Sequence, residues 1–207
     1  MKRSDYRDIV KNKLAELTTN LPNILPNSEI NAAFLATIRG LPYKGVYKEE
    51  FWYRTLETNV REYGWESGTV KPEKVEVDQG NSSLPDYAPI TGYELFANTI
   101  ILPFYPTQAR TMRVWAKMKF TEIDDDDTDV DVPDDKSEVV VYGMLRRLLE
   151  NVINYALDAK NFDAILKPDG VTLPQLKGWR DEMRAEEERI IKSFQRKPVP
   201  RQMNMTQ

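Results

Sequence analysis

Residues 132–157 read VPDDKSEVVVYGMLRRLLENVINYAL. Pro133 marks a helix entrance, and Asp134 or Asp135 sits near the positive end of the helix that follows, where a carboxylate is stabilised by the aligned peptide dipoles. Val141, Leu145, Leu148, Val152 and Ala156 trace one helical face, and Met144, Leu149 and Ile153 widen it. A stripe this broad needs more than one packing neighbour. Gly143 stands in mid-helix, where it costs ~1 kcal/mol relative to alanine, so it predicts a close helix crossing.

Upstream of this helix the texture is different. From about residue 51 to 121, aromatic and β-branched residues come in short runs separated by Gly, Pro, Asn and Asp. The runs predict strands over 51–56, 74–77, 93–96, 99–102 and 111–120. The last is the clearest. Met112, Val114, Ala116, Met118 and Phe120 share one face, and Arg113, Trp115, Lys117 and Lys119 the other. That alternation suits an antiparallel strand with one face in water. Ala97 and Asn98 read as a tight turn, since Asn tolerates a positive φ. Residues 78–89, rich in Gly, Asn, Ser and Pro, read as a loop.

Still earlier, the spacing predicts two short helices. Ser4 reads as the cap of the first, which carries Ile9, Val10, Leu14 and Leu17 and stops near Thr19 and Asn20 ahead of Pro22. Asn27 or Ser28 reads as the cap of the second, with Ile30, Phe34, Leu35 and Ile38 on one side and Gly40 and Pro42 at its end. Helices this short are marginal alone, below the ~12–15 residues at which isolation becomes tolerable. A last helix begins at Pro174, with Leu176, Trp179, Met183, Ile190 and Phe194 as its apolar stripe and a heavily charged exterior.

Composition narrows the chemistry. The 207 residues suffice for one domain with an insertion or for two small ones. With 41% hydrophobic residues a real core is expected. Charged residues make up 30%, yet the net charge is only -4, so there is no strong electrostatic footprint for nucleic acid. Cysteine and histidine are both absent. Disulfides, thiolate nucleophiles and serine–histidine or cysteine–histidine mechanisms are therefore excluded, along with the commonest metal ligands. An enzyme built on carboxylates or lysine remains allowed by composition, but no particular catalytic, metal or cofactor site is expected. No apolar run approaches the ~20 residues of a membrane span. MKRSDYRDIV has no apolar signal core, so it does not read as a secretory leader and the default compartment is cytosolic.

Two acidic features invite sharper readings. Asp124, Asp126 and Thr128 echo a calcium loop, but Asp129 stands where a glycine is needed and Asp135 where a glutamate is. The plainer expectation is a solvated linker held extended by self-repulsion. Glu186, Glu187 and Glu188 are consecutive and splay round their helix, so they read as a solvated face.

The order of elements resembles that of the head–tail adaptor (head-completion or connector) proteins of tailed bacteriophages. The resemblance rests on the helical entry over 7–39, YELFANTIILPFYP at 93–106, RVWAKMKF at 113–120 and VPDDKSEVVVYGMLRRLLEN at 132–151. It implies an α+β protein: a small bundle of about four helices, with an antiparallel β-rich insertion between the second and third. The boundaries would be 1–45 for the first helices, 46–123 for the insertion, 124–195 for the later helices and 196–207 for an extended tail. It further implies a non-enzymatic virion protein of the neck. Such adaptors form a ring, commonly of twelve copies, that binds the portal protein, meets a downstream tail or nozzle protein, and lets DNA pass without sequence-specific binding or membrane contact. Portal docking would fall to Trp179, Phe194, Arg196, Lys197, Arg201, Met203 and Met205. Contacts with neighbouring copies or the tail would fall to Trp52, Trp65, Tyr87 and Trp115, although for the three tryptophans ordinary core and cross-strand packing is the plainer reading. The alternatives are a tail-terminator or tail-side connector, a carbohydrate- or peptide-binding β module, and last a carboxylate-based enzyme.

Overall fold

The computed structural model describes residues 1–80, 85–158 and 170–195. They form five helices and seven strands, a mixture of helix and antiparallel sheet. The chain divides into two units. One is built from Met1–Val46 and from the chain after Phe120; the other is Tyr47–Phe120.

The helical unit opens with α1 (Arg3–Leu17), the short α2 (Leu21–Ile24) and α3 (Asn27–Gly40), followed by a 3-10 turn at Pro42–Lys44. After the second unit comes a 3-10 turn at Asp134–Lys136, then α4 (Ser137–Asp158) and α5 (Leu173–Gln195). α4 packs against α5, α3 and α1, which accounts for its broad apolar stripe. Val139, Val140, Met144, Leu145, Leu148, Leu149, Val152, Ile153 and Ala156 are all buried along it. A fully buried Leu or Val contributes roughly 1.5–3 kcal/mol, so this one helix carries much of the core. Tyr6 and Phe34 meet there with ring centroids 5.5 Å apart. Burial first, then Asp134 and Asp5, pushes the Tyr6 phenol up to about 12.

The helix starts differ from the sequence expectation. The cap of α1 is Lys2, whose N–H donates to Asp5 Oδ2 at 2.7 Å. Ser4 lies inside the helix, its hydroxyl donating to the Asp126 carbonyl. α3 follows Pro26, with Asn27 as its first residue. In both cases a residue one or two places earlier already has the extended backbone a cap requires.

The acidic run is not an extended, self-repelling linker. Asp126 accepts from Arg3 Nε at 2.8 Å and Arg7 Nη1 at 2.7 Å. Arg7 first and then Arg3 hold its carboxyl below the usual range. Asp125 Oδ1 accepts the N–H groups of Asp127 and Thr128 at 2.7 and 2.8 Å. Val130 N–H donates to the Met1 carbonyl at 2.9 Å. The run is thus folded onto the start of α1 by two arginines that nothing in its local pattern announced.

The β unit contains β1 (Lys48–Leu56), β2 (Glu62–Gly64), β3 (Thr69–Asp78), β4 (Tyr87–Pro89), β5 (Glu94–Phe96), β6 (Thr99–Ile101) and β7 (Arg110–Met118). One sheet runs β1-β7-β3-β4 and the other β2-β6-β5. β4 falls within the stretch expected to be loop. Ala97 and Asn98 have φ of 43° and 67°. They join Phe96 to its partner Thr99, the left-handed pair that a two-residue hairpin demands. The inward residues of β7, Met112, Val114, Ala116 and Met118, are buried with Val75, Leu56, Ile100 and Leu102.

No helix among the described residues is long and apolar enough to cross a membrane.

Candidate interaction surface

Strand parity puts the other half of β7 on the outer face of the four-stranded sheet. Antiparallel register aligns Phe51 with Trp115 and Tyr53 with Arg113 across β1 and β7. On the other flank β3 sets Lys74 beside Trp115 and Glu76 beside Arg113. β4 adds Tyr87, opposite Asp78.

At the centre of this face lies a carboxylate. Glu76 is 3% exposed. Its Oε2 accepts from Arg113 Nε at 2.8 Å and Trp115 Nε1 at 2.9 Å, and Lys74 Nζ reaches Oε1 at 2.5 Å. Burial raises the Glu76 pKa, but the hydrogen bonds from Lys74, Trp115 and Arg113 together outweigh it and leave the carboxyl below the ordinary glutamate value. The Arg113 guanidinium then lies 4.0 Å from the Tyr87 ring centroid, with Trp115 at 5.3 Å and Phe51 at 5.9 Å. Cation–π contacts of this kind stabilise by about 0.5–1 kcal/mol when exposed.

Around that centre the aromatic rings face solvent. Phe51 is 41%, Tyr53 52% and Trp115 37% exposed. Their planes do not align: Phe51 and Trp115 are inclined at 58°, Phe51 and Tyr53 at 75°, and Tyr53 and Tyr87 at 37°. A sugar ring needs a flat platform with free polar groups beside it. Here the rings are tilted and the central carboxylate already accepts from three side chains. The surface instead matches the composition of protein-interface centres, in which Trp, Tyr and Arg dominate.

Glu76→Ala is expected to destabilise the β unit by about 2 kcal/mol, because Arg113 and Trp115 lose their acceptor. The sign with pH follows from the depressed pKa. The stabilisation is complete above the ordinary glutamate value and is lost as pH falls through the lower folded value. Urea midpoints measured down an acid pH series check both: wild type loses stability, and Glu76→Gln shows a smaller acid dependence.

Of the four tryptophans and tyrosines expected at contacts, the structure brings Tyr87 and Trp115 together on this face. Trp52 is instead a core residue, 8% exposed, because it alternates with Phe51 and Tyr53 on β1. Trp65 is half-buried and packs against the same core. Trp179 and Phe194 are half-buried on α5. Arg196, Lys197, Arg201, Met203 and Met205 lie outside the described residues.

A second polar cluster sits in the helical unit. Glu187, read from sequence as solvated, is 2% exposed. Lys44 pairs with its Oε1, and Arg146 Nε donates to Oε2 at 3.1 Å. Beside it, a Cβ added at Gly143 would stand 2.8 Å from Glu187 Oε1 and 2.6 Å from Thr37 Cγ2. Among the described residues no group of three or more acidic side chains is placed to hold a metal ion.

No known protein-family model matches the chain, and no curated protein matches it.

Proposed function

We propose that this chain is a structural head–tail adaptor of a tailed phage, assembling as a ring beneath the portal and extending the DNA channel toward the tail. In this reading the helices are a bundle and the β unit is an insertion that touches neighbouring copies and the downstream tail or nozzle protein. The role is structural and non-enzymatic, with no cofactor.

The outer face of the four-stranded sheet carries the proposal. Its central charges, Glu76, Arg113 and Lys74, already satisfy one another, so a partner can cover Phe51, Tyr53, Tyr87 and Trp115 without stranding them. The same internal satisfaction and the tilted rings weigh against a carbohydrate-binding module. The element order supports the adaptor reading over a general peptide binder. Portal docking is assigned to α5 and the chain after it, through Trp179, Phe194, Arg196, Lys197, Arg201, Met203 and Met205. DNA would pass without sequence readout, consistent with a net charge of -4.

Two variants test the reading. Phe51→Ala/Tyr53→Ala removes exposed rings and should shift stability by less than about 1 kcal/mol. Ring or tail association should nevertheless weaken at least tenfold, about 1.4 kcal/mol. Deleting residues 197–207 should abolish portal attachment while leaving the circular dichroism unchanged. Particle mass with and without purified portal reads both. Normal attachment by the truncated chain refutes the docking role, and a stable monomer that binds glycans sinks the adaptor.

A further inference from the structure

Lys44, Arg146, Arg184 and Lys192 line one cleft of about 540 Å³ in the helical unit. Lys44 comes from the turn after α3, Arg146 from α4, and the other two from α5. The two carboxylates of the cleft are Glu187 and Glu188. Glu187 is held by Lys44 and Arg146, and Glu188 pairs with Arg184 at the surface at 3.1 Å. Glu150 also reaches Arg146, at 3.5 Å, so four cations meet three carboxylates and the excess positive charge sits at Lys192, which has no ion pair among the described residues. A charged concave wall concentrates ions of opposite sign.

Its complement lies on the same unit. Arg3 and Arg7 fix Asp126, and Asp125 ties down the backbone of Asp127 and Thr128. That leaves Asp124, Asp127 and Asp129 outermost; the Asp127 side chain is 96% exposed with Lys2 at 3.8 Å, and that of Asp129 is 80% exposed with the N-terminal amine at 3.7 Å. A loop ordered in advance loses little entropy on docking. Among the described residues no ion pair joins this loop to the cleft of its own chain.

We infer that the cleft of one copy receives the loop 124–129 of a second copy. The inference rests on the ring reading and gives it a contact. Cleft and loop are different surfaces present on every copy, so in a ring their pairing runs head-to-tail until rotation closes it, whereas reciprocal pairing across a two-fold axis would stop at two copies. Charge complementarity of this kind sets register and encounter rate and weakens with salt.

The test is the particle mass of the full chain across protein concentration at low and high salt. Arg184→Glu/Lys192→Glu and Asp124→Lys/Asp127→Lys change exposed side chains and should melt as wild type does. Each alone should assemble at least tenfold more weakly. An equimolar mixture should restore assembly, because each variant offers the sign that the other lacks. If a reversal variant melts early, Arg184→Gln/Lys192→Gln replaces it, with the same expected direction. Wild-type assembly by either variant alone overturns the contact, and so does a mixture no better than its parts. Should the variants still close into rings, the ring stands and only the contact falls. If wild type and the restored mixture stop at pairs, the contact stands and the ring falls. A wild-type chain that stays monomeric at every concentration overturns both.

Discussion

Glu187→Ala should lower the stability of the helical unit by about 3 kcal/mol, the lower end of the range for breaking one side of a buried ion pair. Glu187 is 2% exposed and joins α5 to Lys44 and to Arg146 on α4. Without it, two cations face each other across a cleft with no buried counter-charge. The full penalty is not expected, because the Lys44 and Arg146 side chains are 32% and 20% exposed and can turn partly toward water. Glu187→Gln keeps the shape and an acceptor oxygen, so it should cost about half as much. Far-UV circular dichroism during urea unfolding reads the loss of helix. By the usual scaling the alanine variant should melt roughly 10 °C lower. An unchanged midpoint would show that the pairs are only surface decoration.

That residue also marks where the sequence stopped being legible. Three consecutive glutamates look alike in one dimension, and which of them is buried depends on partners 143 and 41 residues away. The aromatic face has the same character. Trp115 and Arg113 were placed together by the alternation of β7, but Phe51, Tyr53, Glu76 and Tyr87 join them only once the register of β1, β3 and β4 is known. Alternation also assigns parity only within a strand. Which face of β1 turns inward, and so that Trp52 is core, follows only from its pairing with β7.

What local physics controls was readable. The apolar half of β7 is buried as its alternation requires, and Ala97 and Asn98 take the positive φ of a tight hairpin. β2 and β4, three residues each, are too short to show a period of two and exist through pairing with β6 and β3. The acidic run shows the same limit. Eight residues rich in aspartate predict repulsion, and the arginines that reverse this lie on α1, about 120 residues away. Domain texture and helix faces are therefore local properties, whereas buried charge and surface constellations belong to the fold.

Gly143 joins these two kinds of information, because its place in mid-helix already pointed to a close crossing. Gly143→Val should cost the helical unit about 3 kcal/mol. The new Cβ would meet Thr37 Cγ2 at 2.6 Å and Glu187 Oε1 at 2.8 Å, both well inside van der Waals contact. Neither neighbour yields easily: Thr37 is buried and donates to the Ala33 carbonyl at 2.7 Å, and Glu187 is held by Lys44 and Arg146. Overpacking of this kind typically costs 1–3 kcal/mol, and valine's γ carbons add to it. Gly143→Ala recovers about 1 kcal/mol of helix propensity and should be milder, a loss of about 1 kcal/mol. The mechanism is separable from simple crowding by combining Gly143→Ala with Glu187→Ala. Removing the carboxylate clears one of the two close contacts, so the double variant should be about 1 kcal/mol more stable than the sum of the single losses. Strictly additive losses would mean that α4 meets α3 alone at this glycine, and that Glu187 takes no part in the crossing.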